Sequence, residues 1–373
     1  MTVSPAELDA PTKNDTLSAP VARQEWLDLA RAIGIILVVA GHTGRGLAAA
    51  DVMEGPITGA FDRVVYSFHI PLFFMISGWL FAGSICRRPF LHSWKIRTLR
   101  LVHPYVVWSI VLLVLLVLAG SLANAPVDMS AARNSLLLLP IRPISIFWFL
   151  YTLLLCMGAS ALAVEWWKWT PGMLLFGALV LHLVYLFQIG DFQPMTGLPF
   201  IRFAEHQLYF AIGFFLSSER VARPDLRMKT AWLAAFTLIA TACFILAVFT
   251  LVRFDLSYHS PVGTLAALGG SAAVLGFCFL LAEPIEWRVP GAIRAIASKT
   301  LAIFCMHVPF ISGARIILTH LGIHDALMLL VICTAIGLAG PLAALRVIVG
   351  LGLARLAGFP DERRSDGEDG IRS

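Results

Sequence analysis

Two ionisable residues, Arg31 and His42, lie in a stretch of sequence that is otherwise apolar enough to cross a membrane. An ionisable group in lipid is costly, so it usually has a function there. Eleven residues at about 100° each complete about three turns, which puts both side chains on one helix face, about 16 Å apart along the axis. An imidazole can act as a general base towards a hydroxyl group or as a nucleophile that accepts an acyl group. The structural alternative is an interfacial anchor at Arg31 and a helix–helix hydrogen bond at His42.

The composition indicates the class of protein that surrounds this pair. Of the 373 residues, 58% are hydrophobic and 14% are charged, and the mean hydropathy is +0.81. Soluble domains carry about 25% charged residues, so we predict an all-α integral membrane protein, a bundle of about ten transmembrane helices with no soluble domain. The predicted spans are 30–50, 60–82, 104–123, 145–163, 171–188, 204–218, 230–251, 261–281, 299–318 and 326–348.

The charge of the connecting segments predicts the orientation of the chain. Lys and Arg are concentrated in one set of loops, which includes residues 87–100, 220–229 and 288–299, and such an excess marks the cytoplasmic side. The formal net charge of +5 arises from these loops, so no nucleic-acid partner is expected. With an even number of spans, both tails are expected in the cytoplasm. The predicted regions are a disordered cytoplasmic tail at 1–24, a transmembrane domain at 25–350 and a polar cytoplasmic tail at 351–373.

Three further polar residues in or beside the spans are candidate substrate contacts. His69 precedes Pro71 in an apolar stretch and fits either a polar site for an acceptor or a kinked packing helix. Glu205 and His307 fit either substrate contacts or structural polar groups within the bundle. Each of the three therefore has a structural alternative as well as a functional one.

A basic segment at 87–100 carries the other candidate site residues, Arg97 and Arg100. It fits either anionic lipid headgroups or the phosphates of a cytoplasmic acyl-CoA. The six cysteines form no CxxC pair, so a metal site is not expected. Motifs for nucleotide hydrolysis, zinc chemistry and the α/β-hydrolase fold are not found either.

Several motifs together resemble the acyltransferase 3 family of membrane O-acyltransferases, in particular its fucose 4-O-acetylase-like branch. They are Trp26-Leu27-Asp28-Leu29-Ala30-Arg31 leading to Gly41-His42, Phe68-His69-Ile70-Pro71-Leu72-Phe73-Phe74-Met75-Ile76-Ser77-Gly78, the segment from Arg97 to Tyr105, Trp148-Phe149-Leu150, and Cys305-Met306-His307-Val308-Pro309. The resemblance extends over nearly the whole chain and is most specific in the first 105 residues. One small departure is Ala32, where the wider family often has Gly.

The resemblance implies an enzyme of the bacterial inner membrane. Its activity would be transfer of an acyl group, expected to be acetyl, from cytoplasmic acyl-CoA to a hydroxyl of a cell-surface or lipid-linked carbohydrate. It implies that His42 is the catalytic residue and that Arg31 is its partner, a cation that holds phosphate or thioester oxygen. Acetyl-CoA would be a co-substrate, no metal would be needed, and the partners would be the glycan acceptor and membrane lipids.

A secondary transporter or polysaccharide exporter is the alternative, in which Arg31 and His42 would line a permeation path. Transporters usually show inverted repeats and paired broken helices, and this sequence shows neither pattern. The sequence leaves open the acyl group, the sugar, the hydroxyl position and the oligomeric state. It also leaves open whether His42 carries the acyl group or only deprotonates the acceptor.

Overall fold

The computed structural model describes residues 25–53, 55–85, 90–192, 198–222, 230–282 and 288–359. These residues form helices joined by turns and short connections, without a β-strand. The predicted tail at 1–24 and most of the predicted tail at 351–373 lie outside the described residues. The helices are α1 Glu25–Ala48, α2 Pro56–Tyr66, α3 His69–Ile85, α4 Phe90–Ala119, α5 Met129–Leu137, α6 Trp148–Ala161, α7 Pro171–Phe192, α8 Pro199–Ala222, α9 Thr230–Arg253, α10 Pro261–Ala282, α11 Gly291–Ser298, α12 Thr300–His320 and α13 Ala326–Gly350.

Within the described part of the chain, nine segments are long and apolar enough to cross a membrane. They are Glu25–Ala48, Thr58–Ile85, Thr98–Leu122, Ser145–Trp166, Pro171–Gln188, Thr230–Arg253, Pro261–Ala282, Thr300–His320 and Ala326–Gly350. Each overlaps one of the predicted spans. The prediction of an all-α membrane bundle is therefore confirmed.

The tenth predicted span, 204–218, lies in α8, which is more polar than the other nine. Its 24 residues correspond to about 36 Å of helix, which is enough to cross a hydrocarbon core of about 30 Å. The polar residues His206 and Gln207 are buried against neighbouring helices instead of facing lipid. A helix enclosed by other helices does not need an apolar surface all round, so hydropathy underestimates α8.

Small residues let α8 approach α3 closely. A side chain at Gly78 of α3 would collide with the backbone of Phe210, and one at Gly213 of α8 would collide with the backbone of Met75. Close contact of backbones through small residues is typical of helix packing in membranes. Gly78 and Gly213 therefore have a packing role.

The second predicted span, 60–82, is broken in two. The helix α2 ends at Tyr66 and α3 begins at His69. We expected Pro71 to bend a continuous helix, and this was wrong. Pro71 lies in the first turn of α3, where a missing backbone N–H leaves no helical hydrogen bond unmade, so the break precedes the proline.

The basic segment before the third span is also more helical than expected. The helix α4 is continuous from Phe90, so Arg97 and Arg100 lie on a helix and not in a loop. Pro104 lies inside α4 and does not open it. The predicted start of this span at residue 104 is therefore corrected to an earlier position, and the apolar part begins near Thr98.

Hydrogen bonds identify which helix ends lie together. Asn124, just after α4, donates to the backbone carbonyl of Gly46 in α1 over 2.9 Å. Arg315, near the end of α12, donates to the backbone carbonyl of Leu122 over 3.5 Å. The C-terminal ends of α1, α4 and α12 thus share one end of the bundle, which we call the distal end. The helix α1 begins at the opposite, proximal end.

Candidate active site

His42 lies about 9 Å before the end of α1 and is therefore close to the distal end of the bundle. The hydroxyl of Tyr66, the last residue of α2, is 3.3 Å from Nδ1 of His42. The ring of His307, in α12, has its centre 5.2 Å from that of His42. The ring of His69, the first residue of α3, is 4.7 Å from that of Tyr66. The structure thus brings the three predicted histidines together with Tyr66, and we call these four residues the His42 cluster.

Hydrogen bonds to the backbone fix the tautomers of two of these histidines. The Nδ1 atom of His69 donates to the carbonyl of Val65 over 2.7 Å. The Nδ1 atom of His307 donates to the carbonyl of Phe304 over 2.8 Å. A neutral imidazole carries one N–H, so Nε2 of each ring is left as an acceptor. Both side chains are fully buried.

A cation that the sequence analysis did not single out lies beside the His42 cluster. The guanidinium carbon of Arg45 is 3.1 Å from the centre of the Tyr66 ring, a cation–π contact. Its Nε and Nη2 atoms donate to the two oxygens of Asp62 over 2.6 and 3.1 Å. Such a bidentate pair holds the guanidinium plane in a defined orientation. Arg45 is therefore a fixed positive charge next to the catalytic candidate.

A contact from the connection between α9 and α10 completes this arrangement. The hydroxyl of Tyr258 donates to Oδ2 of Asp62. Burial and the neighbouring Asp62 raise the pKa of Tyr258 to about 12, so its hydroxyl stays a proton donor near neutral pH. Asp62 therefore receives hydrogen bonds from both Arg45 and Tyr258.

One sequence signal pointed to Arg45. It lies three residues after His42, and residues at this spacing share a helix face. Tyr258 and Asp62 gave no such signal, because 196 positions separate them.

Arg31 lies on α1 at the distance from His42 that its spacing predicts. A continuous helix holds it about 16 Å from His42 along the axis. Its Nη1 atom is 3.6 Å from Oδ1 of Asp28, one turn earlier in α1. The predicted pair thus occupies two levels of one helix, with Arg31 towards the proximal end.

Glu205 lies in a second group of polar residues at the start of α8. Its Oε1 atom is 2.9 Å from Nδ1 of His259, and its Oε2 atom accepts from Arg202 over 3.2 Å. The hydroxyl of Tyr185 is 2.7 Å from the same nitrogen of His259. The backbone carbonyl of Glu205 accepts from Nδ1 of His182 over 2.9 Å. We call these five residues the Glu205 cluster; both oxygens of its carboxylate have partners.

The two remaining site candidates lie on α4. Arg100 is exposed, and the side chain of Arg97 lies outside the described residues. Across the described residues, no group of three or more His, Cys, Asp or Glu side chains is arranged to hold a metal ion. His69 and His307, the two histidines beside His42, each bond to a backbone carbonyl.

Comparison with known protein families identifies the family of the chain. Residues 24–346 match the sequence model of an acyltransferase domain, Acyl_transf_3. The chain belongs to the acyltransferase 3 family. This confirms the family resemblance, and the domain includes the His42 cluster, the Glu205 cluster and the basic part of α4.

Two relatives carry the name nodulation protein NolL. The protein from Sinorhizobium fredii (strain NBRC 101917 / NGR234) is 26% identical over 225 residues, which cover 60% of this chain and 57% of that protein. The protein from Mesorhizobium japonicum (strain LMG 29417 / CECT 9101 / MAFF 303099) is 30% identical over 125 residues, which cover 33% and 31%. The matches therefore span less than two thirds of these relatives. No solved structure matches the chain significantly.

Proposed function

We propose that the protein is a membrane-bound O-acyltransferase, most simply an O-acetyltransferase. It would move an acyl group from cytoplasmic acyl-CoA to a hydroxyl group of a cell-surface or lipid-linked carbohydrate. One observation carries the proposal. Within an acyltransferase domain, Nδ1 of His42 faces the Tyr66 hydroxyl, so Nε2 is the nitrogen available to a substrate.

In the proposed reaction, His42 is the general base. It takes the proton of the acceptor hydroxyl while that oxygen attacks the carbonyl carbon of the thioester. The new C–O bond forms, the C–S bond breaks, and the proton passes to the departing thiolate to give the CoA thiol. In a two-step version, Nε2 of His42 accepts the acyl group first and the hydroxyl then attacks the acyl-imidazole. Both versions give the same ester and the same thiol.

The proposed path of the donor begins at the proximal end, where α4 starts. Arg97 and Arg100 would bind the phosphates of acyl-CoA, with acetyl-CoA the simplest donor. Arg31 lies between this region and His42 along α1, where its guanidinium would attract phosphate or thioester oxygen. The flexible arm of CoA would then extend towards His42. This path requires the proximal end and both tails to be cytoplasmic, as expected for a bacterial inner-membrane protein.

The proposed acceptor site is at the distal end. His69 and His307 would contact the carbohydrate next to His42, and Glu205 would contact it further away. Donor and acceptor would then approach His42 from opposite ends of the bundle. The three histidines favour transfer chemistry over transport, because they lie together in one cluster and are not spaced along a permeation path through the bundle.

The test uses the purified full chain in lipid nanodiscs with isotopically labelled acetyl-CoA. The acceptor is surface glycan extracted from a strain that lacks the gene. Transfer of label to the glycan, with an equal amount of CoA thiol released, supports the proposal, and mass spectrometry then identifies the modified sugar. Counterflow of intact sugar in proteoliposomes without consumption of acetyl-CoA would instead support the transporter.

A further inference from the structure

Two acceptor atoms in the His42 cluster have no partner in the described part of the chain: Nε2 of His69 and Nε2 of His307. Both side chains are 0% exposed. A buried polar atom without a hydrogen bond is destabilising. Proteins therefore retain such an atom mainly where a bound ligand, ion or water molecule supplies the missing hydrogen bond. The two atoms belong to the residues that surround His42. A substrate bound at His42 is therefore the group best placed to donate hydrogen bonds to these two nitrogen atoms.

The direction of these hydrogen bonds follows from the tautomers. The Nδ1 atom of His69 donates to the backbone of α2 and that of His307 to the backbone of α12, so the Nε2 atom of each ring is the acceptor. The four rings are successive neighbours: the spacings of the ring centres are 5.2 Å from His307 to His42, 6.0 Å from His42 to Tyr66 and 4.7 Å from Tyr66 to His69. Both acceptor atoms thus belong to the group of rings that includes the catalytic candidate.

We infer that His69 and His307 bind a neutral polyhydroxylated acceptor through two hydroxyl groups other than the one that His42 activates. This inference rests on the proposed function and specifies how the acceptor is recognised. The two rings would act as positioning residues that orient the reacting hydroxyl towards Nε2 of His42. A molecule with a single hydroxyl group would leave both rings unpaired and would be a poor substrate.

The chemistry of the site favours a hydroxyl over two other groups. The carbonyl oxygen and the sulfur of a thioester accept hydrogen bonds but donate none, so they supply no hydrogen bond to an acceptor nitrogen. An ammonium group does donate, but burying its charge beside two neutral imidazoles costs more than burying a neutral group. A neutral hydroxyl satisfies both conditions.

Two substitutions at each histidine distinguish the contribution of the acceptor atom Nε2 from that of the rest of the ring. In His307→Asn, the amide nitrogen takes the place of Nδ1 and keeps the bond to the backbone, but no atom replaces Nε2. In His307→Gln, the longer side chain places an amide oxygen near the position of Nε2. His69→Asn and His69→Gln form the same pair. A purely structural histidine would show no difference of this kind between Asn and Gln.

The experiment measures kcat/KM of the purified full chain in nanodiscs with acetyl-CoA and a panel of methyl pyranosides. The best of these acceptors is then compared with its monodeoxy analogues, each of which lacks one hydroxyl. We expect a loss of about tenfold in kcat/KM for the analogue that lacks the hydroxyl at His307, from the energy of one hydrogen bond. His307→Asn should lose about as much on the complete sugar and nothing further on that analogue. His307→Gln should retain most of the activity.

The outcomes distinguish this inference from the proposed function. If the wild-type protein acylates a pyranoside but the losses from His307→Asn and from each deoxy analogue multiply, the inference is wrong and the function stands. The same holds if His307→Asn raises KM for acetyl-CoA and leaves KM for the sugar unchanged. If the wild-type protein transfers acetyl to the extracted surface glycan but to none of these sugars, the inference alone is overturned. If it transfers acetyl to neither, both proposals are overturned.

Discussion

Tyr258 and His259 are neighbours in the chain, yet they bond to two different polar clusters at the distal end. Tyr258 donates to Asp62, which holds Arg45 against the His42 cluster. His259 is 2.9 Å from the carboxylate of Glu205. The connection between α9 and α10, residues 254–260, therefore bonds to α2 through Tyr258 and to α8 through His259. It lies where an acceptor entering from the distal end would pass.

We therefore expect residues 254–260 to open more often when either of these contacts is removed. Tyr258→Phe removes the hydrogen bond to Asp62, and His259→Phe removes the contacts of Nδ1 with Glu205 and Tyr185; both variants keep an aromatic ring. A hydrogen bond contributes about 0.5–1.5 kcal/mol, so amide exchange in residues 254–260 should become roughly 2- to 12-fold faster, and faster still in the double variant. Hydrogen–deuterium exchange with mass spectrometry measures this. Ser130→Ala is the control, because Ser130 bonds to Asp128 in α5; an unchanged rate in both single variants would contradict the prediction.

Tyr66 should affect the rate of transfer more than substrate binding. Tyr66→Phe removes the hydroxyl at Nδ1 of His42 and keeps the ring that lies against Arg45. We expect kcat to fall by roughly 2- to 12-fold, the effect of losing one hydrogen bond, with KM for acetyl-CoA unchanged. Steady-state kinetics of purified protein measures both values. Tyr105→Phe is the matched control, because the hydroxyl of Tyr105 donates to the carbonyl of Leu139; equal rates for the two variants would show that Tyr66 does not orient His42.

The sequence predicted the helices well because hydropathy and helical period are local properties. It placed His42 and Arg31 correctly on α1, and it selected His69 and His307, which the structure brings to the same site. It did not predict the hydrogen bond from Tyr258 to Asp62. A single sequence contains many polar residues in distant segments and does not show which of them are in contact. The break between α2 and α3 was also missed, since Pro71 suggested a kink at a different position.

The tails should lie on the same side of the membrane. Reporter fusions after Ser18 and after Gly367 should both report the cytoplasm, because Lys and Arg are concentrated in the loops on that side. This result requires α8 to cross the membrane as a tenth span. A fusion in the connection between α9 and α10 should report the opposite side. Opposite results for the two tails would show that the number of crossings is odd and would refute the orientation.

Arg97 and Arg100 should affect the acyl donor and not the acceptor. If they bind the phosphates of acyl-CoA, Arg97→Ala and Arg100→Ala should raise KM for acetyl-CoA several-fold and leave KM for the acceptor unchanged. The difference from wild type should shrink as salt rises, because exposed charges are screened within about 10 Å at 0.1 M salt. Arg133→Ala is the control, since Arg133, like Arg100, is exposed but lies on α5. Normal KM values together with less protein in the membrane would indicate that the two arginines only set the topology.

The replacement of His42 tests the mechanism most directly. His42→Asn and His42→Gln keep a polar side chain of similar size, but an amide does not accept the hydroxyl proton near neutral pH. Loss of general-base assistance costs about 10²–10⁴ in rate, and loss of a covalent intermediate would cost more. Arg31→Lys should cause a smaller defect, because lysine keeps the positive charge but loses the planar fork of the guanidinium. Acylation of the surface glycan is compared in cells with equal amounts of folded protein.

A structural role for His42 gives the opposite result. Among the described residues, His42 has one hydrogen-bond contact, with the hydroxyl of Tyr66, and either amide is able to replace it. A packing residue would then tolerate the substitution with little loss. Near wild-type acylation by His42→Asn would therefore show that His42 only supports the bundle, and the base or nucleophile would have to be another group. His69 and His307, whose Nε2 atoms also accept, would be the next residues to replace.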